Sequence, residues 1–196
     1  MPTDVLTELK SAVRKIGRNY PDRFHRARRL FVEERPAALS RSREIEYEIK
    51  STIAEQLGVP YSSVCFCGSS QLGFSVHKDR LFELSNSDLD IACVNGSLYQ
   101  QAWSDIAATT RAFTDITPFT GYTRSDIERL KDNILRRGMI RVDLMPRSKL
   151  SNGWRDFQNK LGRRYVEFFG SVSIAIYMSE YAFCWKQDAS LTQLID

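Results

Sequence analysis

The amino-acid sequence predicts an α+β domain, with a mixed sheet of about four to five strands flanked by helices and preceded by a helical N-terminal extension. Stretches in which apolar residues recur three and four positions apart are interspersed with short apolar or alternating runs, the respective patterns of helices and strands. The chain has 196 residues, of which 42% are hydrophobic and 27% are charged, as in an ordinary globular domain.

Three helical stripes occupy the first third of the chain. The first follows Asp4, which can cap it, the second is stopped by Pro36, and the third ends at Gly58. Their apolar positions are Leu6, Leu9, Val13 and Ile16; Phe24, Ala27, Leu30 and Phe31; and Ile45, Ile49, Ile53 and Leu57. We therefore divide the chain into a basic helical extension, residues 1–40, and a second domain, residues 41–196.

Four strands and four further helices are predicted in the second domain. The strands are residues 64–67, 88–94, 139–145 and 171–177. The helices are residues 98–113, capped by Ser97 and Gln100; a helix capped by Ser125 and Glu128 and closed by Gly138; residues 154–164; and a short helix containing Tyr181, Trp185 and Leu191. In residues 139–145 the side chains of Ile140, Val142 and Leu144 would point to one face and those of Arg141, Asp143 and Met145 to the other, which is the pattern of a half-buried strand.

Three acidic residues are candidates for a metal site. Asp88 and Asp90 are two residues apart at the head of a predicted strand, so both side chains point to one face while Leu89 and Ile91 point to the core. Asp143 is on a later predicted strand, and the three carboxylates converge if the two strands are neighbours. Such a cluster would repel itself without cations, and its hard oxygen ligands suit Mg²⁺ or Mn²⁺.

A glycine-serine turn upstream predicts a phosphate site. The segment Gly68-Ser-Ser-Gln-Leu-Gly-Phe follows a predicted strand and opens a predicted helix, where free backbone N–H groups favour an anion. Gly68 allows the backbone to approach a phosphate closely, and Ser69 adds a hydroxyl donor. A phosphate cradle beside metal-binding carboxylates is the arrangement that phosphoryl-type transfer needs.

In this order, the motifs resemble the signature of the DNA polymerase β-type nucleotidyltransferase superfamily. The resemblance lies in Cys67-Gly-Ser-Ser-Gln-Leu-Gly-Phe, then Asn86-Ser-Asp-Leu-Asp-Ile-Ala, and finally Arg141-Val-Asp-Leu, and it covers about residues 45–178. It implies the minimal nucleotidyltransferase fold, like the palm of polymerase β, and transfer of an NMP from an NTP such as ATP to an acceptor hydroxyl.

The resemblance also implies the residues of the site. Two divalent ions, Mg²⁺ or Mn²⁺, would be held by Asp88, Asp90 and Asp143, which are thus the candidate catalytic and metal-binding residues. The candidate nucleotide-binding residues are Gly68, Ser69, Ser70, Lys78, Ser87 and Arg141. Eighteen residues separate Ser69 from Asp88, a longer spacer than compact members have, so residues 75–85 are expected to loop out near the site.

The acceptor is undecided between RNA and a protein. Between Lys10 and Leu30 the chain has eight basic residues and one acid, Asp22. This segment is either a patch for RNA or for an acidic protein, or a solvated helix face. RNA would give nucleotide addition to a 3′ end, and a protein would give NMP transfer to a Ser, Thr or Tyr hydroxyl. A small-molecule acceptor also stays open. Stand-alone bacterial members of the resembled superfamily often act in toxin–antitoxin or phage-defence settings.

Two other interpretations stay open. A catalytically inactive module on the same fold would bind a nucleotide or a partner without turnover. A nucleic-acid-binding protein would instead rely on the basic helices and use the carboxylates structurally, although the acidic trio would repel phosphates unless metals were bound.

The composition argues against a membrane or secreted protein. No apolar run approaches the ~20 residues of a membrane span, and the N-terminal segment has Asp4 and Glu8 but no apolar signal region. The cysteines lack the spacing of a zinc site and are expected to be small buried thiols in a reducing cytoplasm. They are Cys65, Cys67, Cys93 and Cys184.

Overall fold

The computed structural model describes residues 4–195 and has the α+β architecture that the sequence predicts. Its helices are α1 (Val5–Asn19), α2 (Arg23–Arg28), α3 (Arg43–Leu57), α4 (Gly68–Leu72), α5 (Gly96–Thr110), α6 (Arg124–Arg137), α7 (Lys149–Arg164) and α8 (Glu180–Ile195). Its strands are β1 (Val64–Cys67), β2 (Phe74–Ser75), β3 (Arg80–Leu81), β4 (Leu89–Val94), β5 (Met139–Arg141) and β6 (Val172–Tyr177). None of the helices in this range is both long and apolar enough to cross a membrane.

The main sheet is mixed and has the strand order β1-β4-β6-β5. β1 is antiparallel to β4, β4 is parallel to β6, and β5 is antiparallel to β6. In this register Asp90 is the partner of Ser173, and Arg141 is the partner of Ala175. β6 therefore separates the strand that carries Asp90 from the strand that carries Arg141.

Each face of this sheet contributes to one of two hydrophobic clusters. Leu89, Ile91 and Ile174 belong to the cluster that packs against helices α3, α5, α6 and α7. Alternate residues of the same strands, such as Ala92 and Tyr177, belong to a second cluster that packs against α1, α2 and α8. Residues before position 40 thus help to build one face of the core, while the division into two domains at that position stays a prediction.

Some local boundaries differ from those that the sequence predicts. Asn95 caps α5 by accepting a hydrogen bond from the Leu98 backbone N–H at 2.9 Å, two residues before the predicted cap. Thr123 and Asp126 form the capping box of α6, whereas the predicted pair is Ser125 and Glu128, two residues later. In both cases the chain has two overlapping capping patterns, and the helix begins where the preceding backbone becomes extended.

Two larger differences concern the later part of the chain and the insert. The predicted strand over residues 139–145 stops at Arg141, and Val142–Leu144 form a 3-10 turn. The C-terminal helix α8 is long, with 16 residues. Within residues 75–85, β3 pairs with β2 in a short hairpin rather than a simple loop. The four cysteines are buried and free, as expected.

A buried ion pair connects α2 to α8. Arg26 donates through Nε and Nη2 to the two carboxylate oxygens of Asp188, with the Nη2–Oδ2 distance 3.2 Å. Asp188 is 1% exposed and Arg26 is 5% exposed. The partially exposed Arg23 also approaches Asp188, with 3.8 Å between Nε and Oδ2. Two buried opposite charges therefore hold the N-terminal segment against the C-terminal helix.

We predict that Asp188→Ala lowers the free energy of unfolding by about 3–5 kcal/mol, because it leaves the Arg26 guanidinium buried without its carboxylate. Urea denaturation would measure this loss. The double variant Arg26→Met/Asp188→Leu should recover much of it, because an apolar pair of similar volume replaces the charges. Glu180→Ala, which removes the exposed partner of Arg28, is the control and should cost much less. An equal loss in the control would contradict the role of burial.

Candidate functional site

Seven of the nine predicted site residues line one cavity of about 430 Å³. They are Gly68, Ser69, Lys78, Ser87, Asp88, Asp90 and Arg141. The cavity lies where β1 ends and β4 begins, and residues of β6, α8 and the β2–β3 hairpin complete its wall. The two remaining residues, Ser70 and Asp143, do not line it.

The two carboxylates of the Asp88-Leu-Asp90 motif are each held by a serine of the neighbouring chain segment. Ser171 Oγ donates to Asp88 Oδ1 at 2.7 Å, and Ser173 Oγ donates to Asp90 Oδ1 at 2.7 Å. Burial raises the pKa of Asp90, the nearby Asp88 charge raises it further, and the Ser173 hydrogen bond opposes the shift. Because Asp88 is exposed and Asp90 is half-buried, the two carboxylates occupy the mouth and the wall of the cavity.

Only glycine fits at position 68, between β1 and the Asp90 side chain. Its φ of +63° is in the left-handed region that favours glycine, and a Cβ at this position would collide with Oδ2 of Asp90. The first turn of α4 therefore lies directly against the Asp90 carboxylate. Ser70, in the same turn, is fully buried and donates through Oγ to the carbonyl of Cys67 at 2.9 Å. In this position Ser70 stabilises the turn and does not face the cavity.

Asp143 is held apart from the other two carboxylates. Arg141 Nε and Nη2 donate to Oδ1 and Oδ2 of Asp143 at 2.9 and 2.7 Å, a bidentate pair. β6 lies between β4 and β5, so the strands that carry Asp90 and Arg141 are not direct neighbours. Two strand spacings of about 4.8 Å separate the Asp90 and Arg141 strands.

The turn that carries Asp143 is anchored from behind. The Tyr122 hydroxyl is 3.1 Å from the Asp143 carbonyl oxygen and 3.0 Å from that of Met145. Arg155 Nη2 donates to the same Tyr122 hydroxyl at 2.7 Å and to the Met145 carbonyl oxygen. These contacts fix the backbone position of Asp143, while its side chain remains half-exposed beside Arg141.

Lys186 on α8 is a cavity residue that the sequence analysis did not identify. Burial lowers the pKa of its ammonium group, and Asp90 and Arg141 are among the charges that act on it. It makes no ion pair with a carboxylate within residues 4–195. No sequence signal marks it, because its approach to the site depends on how α8 packs. The sequence does carry a signal for Ser171 and Ser173. These serines are two residues apart at the start of a buried strand, as Asp88 and Asp90 are.

The β2–β3 hairpin forms the rim of the cavity, as expected for the insert near the site. Lys78 and Arg80 line the cavity there, and the Lys78 backbone N–H donates to Ser75 Oγ at 3.2 Å. An ion pair between Lys10 of α1 and Asp79 attaches the hairpin tip to the N-terminal helix. The position of the rim cations thus depends on the N-terminal segment.

The charges lining the cavity favour an anionic ligand that brings a cation with it. Four basic residues, Lys78, Arg80, Arg141 and Lys186, face two carboxylates. Within the described range, 4–195, no group of three or more His, Cys, Asp or Glu side chains is placed to hold a metal ion. Asp88 and Asp90 together supply two carboxylates. This number fits Mg²⁺, which commonly binds through one or two carboxylates together with substrate phosphates.

We predict that Asp90→Asn stabilises the metal-free protein at neutral pH. The folded-state pKa of Asp90 is raised. The stability linked to its protonated form is therefore complete below the unfolded pKa of about 3.9 and is lost as the pH rises through the folded value. Asparagine avoids this loss. Thermal unfolding should give a higher midpoint for the variant at neutral pH and a smaller difference near pH ~4. A lower midpoint at neutral pH would contradict the direction of the pKa shift.

We also predict that Gly68→Ala is more destabilising than Gly58→Ala. Both glycines have a positive φ, +63° and +65°, so each substitution carries a backbone penalty of about 1–2 kcal/mol. A Cβ at Gly58 meets nothing within 4 Å, whereas one at Gly68 must displace the Asp90 carboxylate. Urea denaturation of both variants measures the difference, and equal losses would show that Asp90 does not constrain the turn.

Comparison of this chain with protein-family models, with curated proteins and with solved structures gives no match. The inference of function therefore depends on the cavity, its charges and the order of its motifs.

Proposed function

We propose that this protein is a metal-dependent nucleotidyltransferase that transfers an NMP from an NTP to an acceptor hydroxyl. The observation that carries the proposal is the meeting of the Gly68-Ser69 turn with the Asp88 and Asp90 carboxylates in one cation-rich cavity. These are the motifs that resemble the polymerase β-type nucleotidyltransferase superfamily, and the proposed fold is the minimal fold of that superfamily.

The triphosphate would bind between the α4 turn and the basic wall. Ser69 offers its hydroxyl and the turn offers backbone N–H groups, while Lys78 and Arg80 on the hairpin approach from the rim. Arg141 and Lys186 are placed to neutralise the phosphates from the β6 and α8 side. In this arrangement the α-phosphorus would lie near the Asp88 and Asp90 carboxylates.

Asp88 and Asp90 would hold the two divalent ions, Mg²⁺ or Mn²⁺, which would neutralise phosphate charge and lower the pKa of the acceptor hydroxyl. Ser171 and Ser173 keep the two carboxylates in place. Attack forms a bond from the acceptor oxygen to the α-phosphorus and breaks the bond to the bridging oxygen, so pyrophosphate leaves. The hydroxyl proton passes to a carboxylate or to water. Asp143 would act as the third ligand, or as this base, once Arg141 turns to the phosphates.

The acceptor belongs to the same proposal, as RNA or as a protein hydroxyl. The basic N-terminal helices supply the charge for either partner. Cytoplasmic location and a toxin–antitoxin or phage-defence role are the settings proposed with it, on the resemblance alone.

A second candidate function is supported by the bidentate Arg141–Asp143 pair. If this pair persists when a nucleotide binds, Asp143 supplies neither a ligand nor a base. The chain would then be a nucleotide- or partner-binding module without turnover.

We predict that Asp88→Asn and Asp90→Asn each reduce nucleotidyl transfer by about 100-fold or more, since losing a ligand to the ion removes several kcal/mol of transition-state stabilisation. The assay incubates the protein with each α-³²P-labelled NTP and Mg²⁺ or Mn²⁺, with total RNA or with RNA-depleted cell lysate. Label on an RNA or protein band identifies base and acceptor class together. Asp156→Asn, an exposed carboxylate of α7 outside the cavity, is the matched control and should transfer normally.

Transfer at the wild-type rate in either cavity variant would refute this site assignment. Nucleotide binding without transfer under either metal would instead favour the inactive module. Binding is measured separately by equilibrium dialysis of the same labelled NTP.

A further inference from the structure

An exposed column of stacked side chains runs along the contact between α2 and α8. Phe24 stacks on Tyr181 with ring centroids 6.0 Å apart and planes inclined by 22°, and Tyr181 stacks on Trp185 at 6.1 Å and 15°. Guanidinium groups cover the two ends, with Arg28 5.2 Å from the Phe24 centroid and Arg23 5.9 Å from that of Trp185. We call these five residues the aromatic column.

The aromatic column is more exposed than helix packing alone requires. Tyr181 is 62% exposed and Trp185 is 49% exposed, whereas Trp154 is buried. The Arg23 side chain is 52% exposed, so it can leave the outer face of Trp185 without breaking into the core. The buried Arg26–Asp188 pair also joins α2 to α8, so the contact between the two helices does not depend on the aromatic column alone.

The charge around the aromatic column is strongly positive. Residues 5–29 contain eight basic and two acidic residues, a net charge of +6, whereas the whole chain carries +4. Five of these eight cations already have a carboxylate partner in residues 4–195. Arg28 pairs with Glu180, Arg29 with Glu34, Lys10 with Asp79, and Arg23 and Arg26 with Asp188. Lys15 and Arg18 are exposed and make no ion pair with a carboxylate of residues 4–195. These two cations are on α1, which contacts α8, the helix that carries Tyr181 and Trp185. Unpaired cations and exposed aromatic rings on the same side of the sheet complement a flexible polyanion that carries π faces.

We infer that the aromatic column is a docking surface for single-stranded RNA. A base would stack on the Trp185 ring in place of Arg23, while Arg23 and the α1 cations contact the phosphates, the combination that single-strand-binding surfaces use. A protein partner could use Trp, Tyr and Arg too. The column is itself a stack of flat groups, however, with Tyr181 inclined by only 15° to Trp185 and Arg23 over the Trp185 ring, and a nucleic-acid base extends such a stack directly. Cellular DNA is mainly duplex, and its stacked bases leave no free face for these rings.

The location of this surface also bears on the acceptor. Trp185 is followed directly by Lys186, which lines the cavity, so α8 belongs to both the RNA surface and the candidate active site. A strand held at the aromatic column would then present its 3′ end as the acceptor hydroxyl. This last step rests on the proposed function, whereas RNA binding by the column does not.

The test measures fluorescence anisotropy of a labelled unstructured RNA of about 12 nucleotides, within the usual site size, with the full chain and no nucleotide or metal. Tyr181→Ser/Trp185→Ser should weaken binding about 10-fold or more, because base stacking is lost. Tyr47→Ser is the matched control, since Tyr47 of α3 is 55% exposed, contacts the Tyr61 ring and lies on the other side of the sheet. Trp185→Phe keeps an aromatic ring and should retain most of the affinity. In the unmodified protein RNA binding should quench Trp185 fluorescence, and this quenching should be absent in the variant.

Salt dependence separates stacking from charge. Arg23→Gln should lower the slope of log K against log salt concentration by about 0.7, the value for one phosphate contact on a single strand. The serine double variant should weaken binding without changing that slope. Arg163→Gln, an exposed and unpaired cation of α7 in the described range, should leave both quantities unchanged.

Equal affinity for duplex and single-stranded RNA, or wild-type affinity in the serine double variant, would overturn the inference. Absence of RNA binding would also overturn it and would favour a protein partner for this surface. The proposed function fails separately: RNA binding without label transfer contradicts catalysis alone, and transfer to a protein without RNA binding contradicts this inference alone.

Discussion

The parallel pairing of β4 with β6 is the constraint on which the site depends. Both strands are covered on their two faces, so their middles must be apolar and their polar residues are confined to the start. There the pairing aligns Asp90 with Ser173, and the hydroxyl satisfies the carboxylate. Because β1 is antiparallel to β4, its end lies beside the start of β4 and brings Gly68 against Asp90. The directions of the strands thus bring the Gly68-Ser69 turn next to the carboxylates.

The N-terminal segment is part of this assembly. Phe31 contributes both to the second hydrophobic cluster and to the cavity wall, and Lys10 holds the hairpin that carries Lys78. The buried pair of Arg26 with Asp188 fixes the same segment to α8, the helix that carries Lys186. A disturbance of these helices would therefore change the cation-rich wall as well as the stability of the chain.

Sequence patterns were sufficient where a local rule decides the structure. Helix α3 ends at Gly58 with φ +65°, as its apolar stripe and glycine predict, and the Asp88–Asp90 spacing places both carboxylates in one cavity. Prediction failed where tertiary packing decides. Val142 is buried in the 3-10 turn, as it would be in a strand. The alternation of apolar residues therefore could not distinguish the turn from a strand. Nor does any local pattern specify that β6 inserts between β4 and β5.

The Arg141–Asp143 pair decides whether the third carboxylate is available for the proposed reaction. Both side chains are more than one-third exposed, so solvent screening leaves the pair a contribution of about 0–1 kcal/mol. A triphosphate offers Arg141 charge-assisted hydrogen bonds with more negative charge, in a cavity whose cations outnumber its carboxylates. In the proposed reaction, exchange of Asp143 for phosphate would therefore be favourable and would free the third carboxylate only when the substrate binds. Until then Asp143 is paired with Arg141, so its charge does not add to those of Asp88 and Asp90.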